Sequence, residues 1–351
     1  MHTRKIARWI TVLVLLLAVH PAGAAGGDAA VAEQVDTARL SNDIRWLADD
    51  DRNGRLATTE AEDDVVDWIV GRFTALELAP FAAAGLESLV HRFPIRTSFY
   101  PWNQTTGASC TSAGAVLLSG TGENIIAVLP GEVHPNEFVI VSAHHDHIGP
   151  CGTSIRNGAD DNASGIAAML EIARILSKQS PRPKKSVVFV AFAAEEIGRL
   201  GSKAFTHLVI ANTLDRSCVM LNLDMLGVAI GAPVFVSLFG DDPSNTSNLV
   251  SAIAQAARFQ DIDVVSGGSV IEWSDHVSLA DYRIPAITMT ASAVIAPDNG
   301  EEDDFSINFM LRHHPNYHRS TDVPEALDVS AVATMTRVAV SAVSILANAG
   351  D

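Results

Sequence analysis

The sequence predicts an α/β fold with three α/β/α layers, helices covering both faces of a mostly parallel mixed central sheet. Three observations carry that prediction. From Asn124 onward, short apolar runs alternate with stretches of helical period. Runs such as Val187-Val-Phe-Val-Ala-Phe192 are apolar at every position, as strands covered on both faces must be. The chain has 351 residues, 48% hydrophobic and 19% charged, which gives it a large core without disulfide or metal staples and excludes a disordered chain.

Residues 1–24 stand apart from that pattern. Arg4, Lys5 and Arg8 precede the apolar run Trp9 to Val19, and Pro21 and Ala22-Gly23-Ala24 follow it. Cationic, apolar and small-residue segments in that order are those of a secretory signal cut after Ala24. The apolar run is 11 residues long, whereas a bilayer core needs ~20 helical residues, so no retained membrane anchor is expected. The expected location is periplasmic or extracellular. Lys plus Arg is 24 against 41 Asp plus Glu, a formal charge of −17 that becomes more negative once the three cations leave with the signal. Such a field disfavours nucleic acid and anionic lipid as partners.

Export implies an oxidising compartment, yet the chain offers only Cys110, Cys151 and Cys218. Cys218 lies in the apolar run to Leu223 and reads as a buried thiol. Cys110 and Cys151 are the remaining pair, and the sequence leaves their oxidation open.

Residues 25–123 form a lead-in. Helices are expected at Ala38 to Ala48 and Thr59 to Leu78, with the turn Asp51 to Arg55 between them, and the segment from Tyr100 to Gly122 has no clear period. Residues 124–351 form the main domain. Strands are expected at Ile125 to Leu129, Phe138 to Ala143, Ser186 to Phe192, Val219 to Leu223, Val234 to Leu238 and Ile284 to Thr288. Helices are expected at Ala163 to Ser177, Ser202 to Ala211, Asn245 to Ala257 and Val329 to Ala347.

In an open α/β sheet the ligand site lies beyond the carboxyl ends of the strands, and there the sequence collects His and carboxylate. One strand ends in His144-His-Asp-His147, and Arg156-Asn-Gly-Ala-Asp-Asp-Asn-Ala-Ser-Gly165 follows it; another runs into Glu195-Glu196; a third precedes Asp224; a late loop holds Tyr317-His-Arg-Ser-Thr-Asp322. Singly, each is a solvated turn or an N-cap. Together they would set several carboxylates at one sheet edge, where like charges repel unless cations neutralise them. Imidazole with carboxylate and no thiolate suits Zn²⁺, and this many carboxylates suits two ions sharing a bridging one.

The order Ala-His-x-Asp-His-x-Gly, Gly-Ala-Asp-Asp-Asn-Ala-Ser-Gly, Ala-Glu-Glu, Leu-Asp-Met and Tyr-His-x-x-x-Asp resembles the co-catalytic dizinc peptidases of metallopeptidase family twenty-eight. The resemblance runs from about Asn124 to the C-terminus and implies a zinc-dependent exopeptidase fold acting on peptides. It implies that His144 and Asp224 hold one zinc, Glu196 and His318 a second, and that Asp161 bridges them. Glu195 matches the general base, and Asp146 the carboxylate that orients the ligand imidazole. His145, His147, His313 and His314 match no ligand position. Ser274-Asp-His276 reads as structural or substrate-lining. Some relatives carry a tyrosine before Ser-Asp-His that steadies the tetrahedral intermediate; Ile271-Glu272-Trp273 supplies none. The segment Ser98 to Glu123 is too short for the protease-associated domain that many relatives insert.

The resemblance points to an aminopeptidase. A glutaminyl cyclase, a carboxypeptidase or an inactive binding ectodomain are the competing readings. The paired Asp160-Asp161 favours a hydrolase, no basic cluster marks a carboxylate pocket, and no ligand position is missing. Sequons begin at Asn103, Asn162 and Asn245; a glycan on Asn162 would block the metal loop, so they read as chance. Oligomeric state and side-chain preference are not legible.

Overall fold

The computed structural model describes residues 25–99, 110, 115–212, 214, 217–240, 243–266, 274–293 and 313–350. The signal pattern of residues 1–24, the sequon at Asn103 and the loops 271–273 and 303–310, expected to line a pocket, lie outside them.

In chain order the elements are α1 (Ala25–Ala32), α2 (Thr37–Leu47), α3 (Glu60–Ala75), β1 (Val90–Phe99), β2 (Val116–Leu129), β3 (His134–His144), α4 (Gly165–Ser177), β4 (Lys185–Phe192), α5 (Leu200–Ala211), β5 (Cys218–Leu223), β6 (Phe235–Gly240), α6 (Pro243–Phe259), β7 (Val264–Ser266), α7 (His276–Ala280), β8 (Ala286–Ser292) and α8 (Val329–Asn348). The strands form one sheet of order β1-β2-β4-β3-β5-β8-β6-β7. The central pairs β4–β3, β3–β5 and β5–β8 are parallel, as is β6–β7. The pairs β1–β2, β2–β4 and β6–β8 are antiparallel.

Alternation along each strand assigns the two faces. Val187, Phe189 and Ala191 of β4 join the larger core with Val139, Val141, Leu221 and residues of α2, α3, α4, α6 and α8. Val188, Val190 and Phe192 point the other way, to Ile140, Met220, Phe205 and Val209 under α5. Both faces are covered, which is why β4 is apolar from Val187 to Phe192 and β3 and β5 are apolar at most of their buried positions. Asp36 caps α2 by accepting from the backbone N–H of Ala38 and Arg39, and Asp328 caps α8 through Ser330 and Ala331. By length and composition α8 could cross a membrane, but it is mostly buried against the sheet and its neighbouring helices.

Two strands and two helices were not expected. β2 runs from Val116 through position 124, so the lead-in ends inside a strand. β1 is an edge strand that pairs with β2 alone, and Pro94 with the arginines at 92 and 96 hid it. α1, α7 and the three-residue β7 are too short to show a period.

Cys110 and Cys151 form a disulfide, and Cys218 is a buried thiol.

Candidate metal centre

Because β4, β3 and β5 are parallel neighbours, their carboxyl ends open side by side. β3 ends at His144, β4 continues into Glu195 and Glu196, and Asp224 follows β5. The turn Ala159–Ser164 that opens α4 adds Asp161, and the loop before α8 adds His318.

His144 Nε2 lies 3.3 Å from Asp161 Oδ1 and 3.4 Å from Asp224 Oδ1. His318 Nε2 lies 3.2 Å from Asp161 Oδ2 and 3.0 Å from Glu196 Oε2. Asp161 therefore turns one oxygen to each of two groups. Donors bound at 2.0–2.1 Å to a tetrahedral zinc sit ~3.3 Å from one another, near the His–carboxylate distances here. Among the described residues, the sets close enough to surround one ion are His144, Asp161 and Asp224, and His147, Asp161 and Glu196, with His318 beside the second. The donors are imidazole and carboxylate, which fits zinc.

His147, which matched no ligand position, lies inside the second group. Its Nδ1 is 2.7 Å from Glu196 Oε1 and 3.9 Å from Asp161 Oδ2. The first distance is that of a hydrogen bond, shorter than two donors on one ion would keep, so His147 holds the Glu196 carboxylate while His318 faces both carboxylates. Its spacing, Asp-His directly after the His144 motif, was the available signal. Asp146 also differs from expectation. Its carboxylate accepts the backbone N–H groups of Glu195 (3.0 Å) and Glu196 (3.3 Å), and lies 3.8 Å from His144 Nδ1. The nearer partner of that nitrogen, at 3.2 Å, is the Asp146 carbonyl.

His145 turns away, its Nε2 to the carbonyl of Glu123. His313 and His314 line a separate cavity behind Asp161, where His314 Nδ1 meets Asp160 Oδ2 at 2.8 Å.

Residues distant in sequence hold the ligands. Asp322 accepts the backbone N–H of Asp160 on Oδ1 (2.9 Å) and of Asp161 on Oδ2 (3.2 Å). Asn162 is fully buried; its amide donates to the Leu223 carbonyl, and its oxygen accepts from the N–H of Gly165 and Met225, tying the Asp161 turn to the end of β5. Ser274 donates to Asp224 Oδ2 at 2.6 Å. Ala194, Met225 and His318 have left-handed φ values of 58°, 52° and 57°. Such non-glycine backbone is uncommon, and these three of the ten such positions among the described residues adjoin or are site residues.

Residues 124–343 match the sequence profile of peptidase family M28, well over half of the chain. The chain belongs to that family. Aminopeptidase YwaD of Bacillus subtilis (strain 168) is 33% identical over 167 residues, 47% of this chain and 34% of that protein, so the chain spans about a third of that relative's length. Among solved structures, the aminopeptidase from Aneurinibacillus sp. strain AM-1 superposes with TM-score 0.67 at 17% identity, over 93% of this chain and 97% of that one. Porphyromonas gingivalis glutaminyl cyclase does so with TM-score 0.65 at 18% identity, over 88% and 98%. At such identities the structural likeness concerns the fold.

The M28 site is crowded with buried acid groups. Burial lowers the His144 imidazole, but Asp224 and Asp161 outweigh it and hold the group well above its ordinary value. His318 behaves alike: burial opposes, Glu196 and Asp161 prevail, and the group rises to about 10. Both imidazoles are thus held toward the charged form by the carboxylates around them, which burial alone would not do. Burial, with Asp275, Glu196 and Asp224 adding to it, raises Glu195 well above an ordinary glutamate although His144 opposes.

His144, Asp161, Glu196 and Asp224 floor a cavity of about 520 Å³ that also includes Glu195, Met225, Phe239, Ser274, His276, Thr288, Thr290 and Tyr317. No Lys or Arg is among its described lining residues. Tyr317, directly before His318, stacks on that imidazole with ring centroids 3.7 Å apart. Burial raises its phenol well above the ordinary value, with Asp161 and Glu196 adding to it, so it remains a donor. Tyr317 stands in the late loop singled out from sequence but was given no role there; its place in Tyr-His-x-x-x-Asp was the signal.

Proposed function

We propose that this M28 chain is an exported dizinc aminopeptidase that releases N-terminal residues from peptides. His144, Asp161 and Asp224 would hold one zinc, and Asp161, Glu196 and His318 the other. The observation that carries this reading is Asp161, whose two oxygens each face a separate His and carboxylate group at donor spacing. Two zinc ions, when bound, would polarise the scissile carbonyl and acidify a shared water.

The chain's own groups supply the rest. Glu195 lines the cavity and, with its raised carboxyl, is suited to take the proton of the attacking water and pass it to the leaving amine. Asp146 fixes Glu195 and Glu196 through their backbone N–H groups. The Tyr317 phenol is the donor available to the developing oxyanion, the role left open by Ile271-Glu272-Trp273. A cavity with carboxylates and no lysine or arginine among its described lining residues favours a cationic α-amine over a substrate carboxylate, which supports an aminopeptidase over a carboxypeptidase. Met225 and Phe239 favour an apolar first side chain. Export is supported by the pattern of residues 1–24 and by the Cys110–Cys151 disulfide, a bond that persists in oxidising compartments.

The test is cleavage of short peptides and aminoacyl amides by the zinc-loaded protein. Free N-termini are expected to be cleaved and N-acetylated ones spared. Equal cleavage of both would remove the aminopeptidase reading, and pyroglutamate formed from N-terminal glutamine without peptide hydrolysis would replace it with a cyclase.

A further inference from the structure

Arg55 lies outside the stretch that matches the family profile, yet its side chain is buried beneath the metal centre, 1% exposed. Three successive left-handed residues, Asn53 (φ 42°), Gly54 (φ 68°) and Arg55 (φ 48°), turn it inward. Gly54 is needed there twice over. Its φ suits glycine, and a Cβ would strike the carbonyl oxygen of Arg156 and approach the Cα of Gly149. The turn is stitched to the loop after β3 by backbone bonds from His147 N–H to the Arg55 carbonyl (3.1 Å) and from Gly149 N–H to the Gly54 carbonyl (3.0 Å).

The guanidinium spans three segments. Nε donates to the carbonyl of His145 (3.0 Å), Nη1 to those of Leu47 (2.9 Å) and Asn157, and Nη2 to that of Gly158 (3.0 Å). His145 directly follows His144, and Gly158 precedes Asp161 by three positions. A buried cation is costly unless its donors are satisfied, and a planar fork can serve carbonyls on separate loops where an ammonium cannot. Burial lowers Arg55 to about 10, which leaves it charged at neutral pH.

We infer that Arg55 is a positioning residue for the metal centre, clamping the His144 loop to the Asp161 loop so that their donors face a common ion. The inference rests on the dizinc reading above. It is testable because charge and geometry act oppositely. As a cation near Asp161, Asp322, Asp146 and Glu196, Arg55 opposes metal entry, so on charge alone its removal tightens zinc. As a clamp, its removal loosens zinc.

Zinc affinity of the full chain is measured by chelator competition for wild type, Arg55→Lys and Arg55→Met, with the Co²⁺ absorption spectrum and thermal melting recorded alongside. Both variants are expected to bind zinc about 10- to 100-fold more weakly, the range for losing a group that orients ligands, and to change the cobalt spectrum. The lysine variant, which keeps the charge, is expected to recover only part of the loss. Folded variants with unchanged or tighter zinc would overturn the inference. So would failure of both variants to fold, which would make Arg55 a requirement of the fold. A wild-type chain that takes up no zinc would overturn the dizinc reading and this inference with it, whereas equal uptake by all three proteins would overturn this inference alone.

Discussion

Asp161→Ala is expected to cost the protein both metals, a larger loss than any other single ligand substitution. Its two oxygens are shared between His144 and Asp224 on one side and His318 and Glu196 on the other, so its removal leaves each group with two of its three donors. Structural and catalytic zinc sites need at least three protein ligands. Asp224→Ala, by contrast, depletes only the group around His144. Elemental analysis after dialysis reads the difference directly. If Asp161→Ala keeps as much zinc as Asp224→Ala, the carboxylate does not bridge.

Glu195→Gln is expected to leave metal content unchanged while kcat falls by about 10²-fold or more, the scale of a lost general base. Glu195 lines the cavity, while its neighbour Glu196 is held by His147 and faces His318. The amide keeps the shape and the backbone bond to Asp146, so a change in zinc content would mean that the roles of Glu195 and Glu196 are exchanged. Activity within a few fold of wild type would assign the proton transfer to another group.

Much of this was legible because of where it sits. β4, β5 and the second half of β3 are buried on both faces and show as mainly apolar runs, and the residues that follow them must then meet at one sheet edge. β1 declares nothing of the kind. It is half exposed, interrupted by Pro94 and flanked by charge. In the site, the ligand positions and Asp322 sit in local motifs, but what the supports hold is not written in those motifs. Asp322 reaches across more than 160 positions to the backbone of Asp160 and Asp161, and Arg55 across about 100 to Asn157 and Gly158. Both bind main-chain atoms, which leave no trace in residue type. His147 lies in a visible local motif, but its partner does not show there: it holds the carboxylate of Glu196, 49 positions away.

The central claim is that one carboxylate organises two ions, and zinc stoichiometry of the wild-type chain tests it most directly. Purified protein reconstituted with zinc and freed of excess should hold close to two ions per chain, and a chelator that removes them should abolish peptide cleavage, as expected where two metals share the activated water. Saturation at one ion or fewer, or full activity after complete removal, would contradict the account.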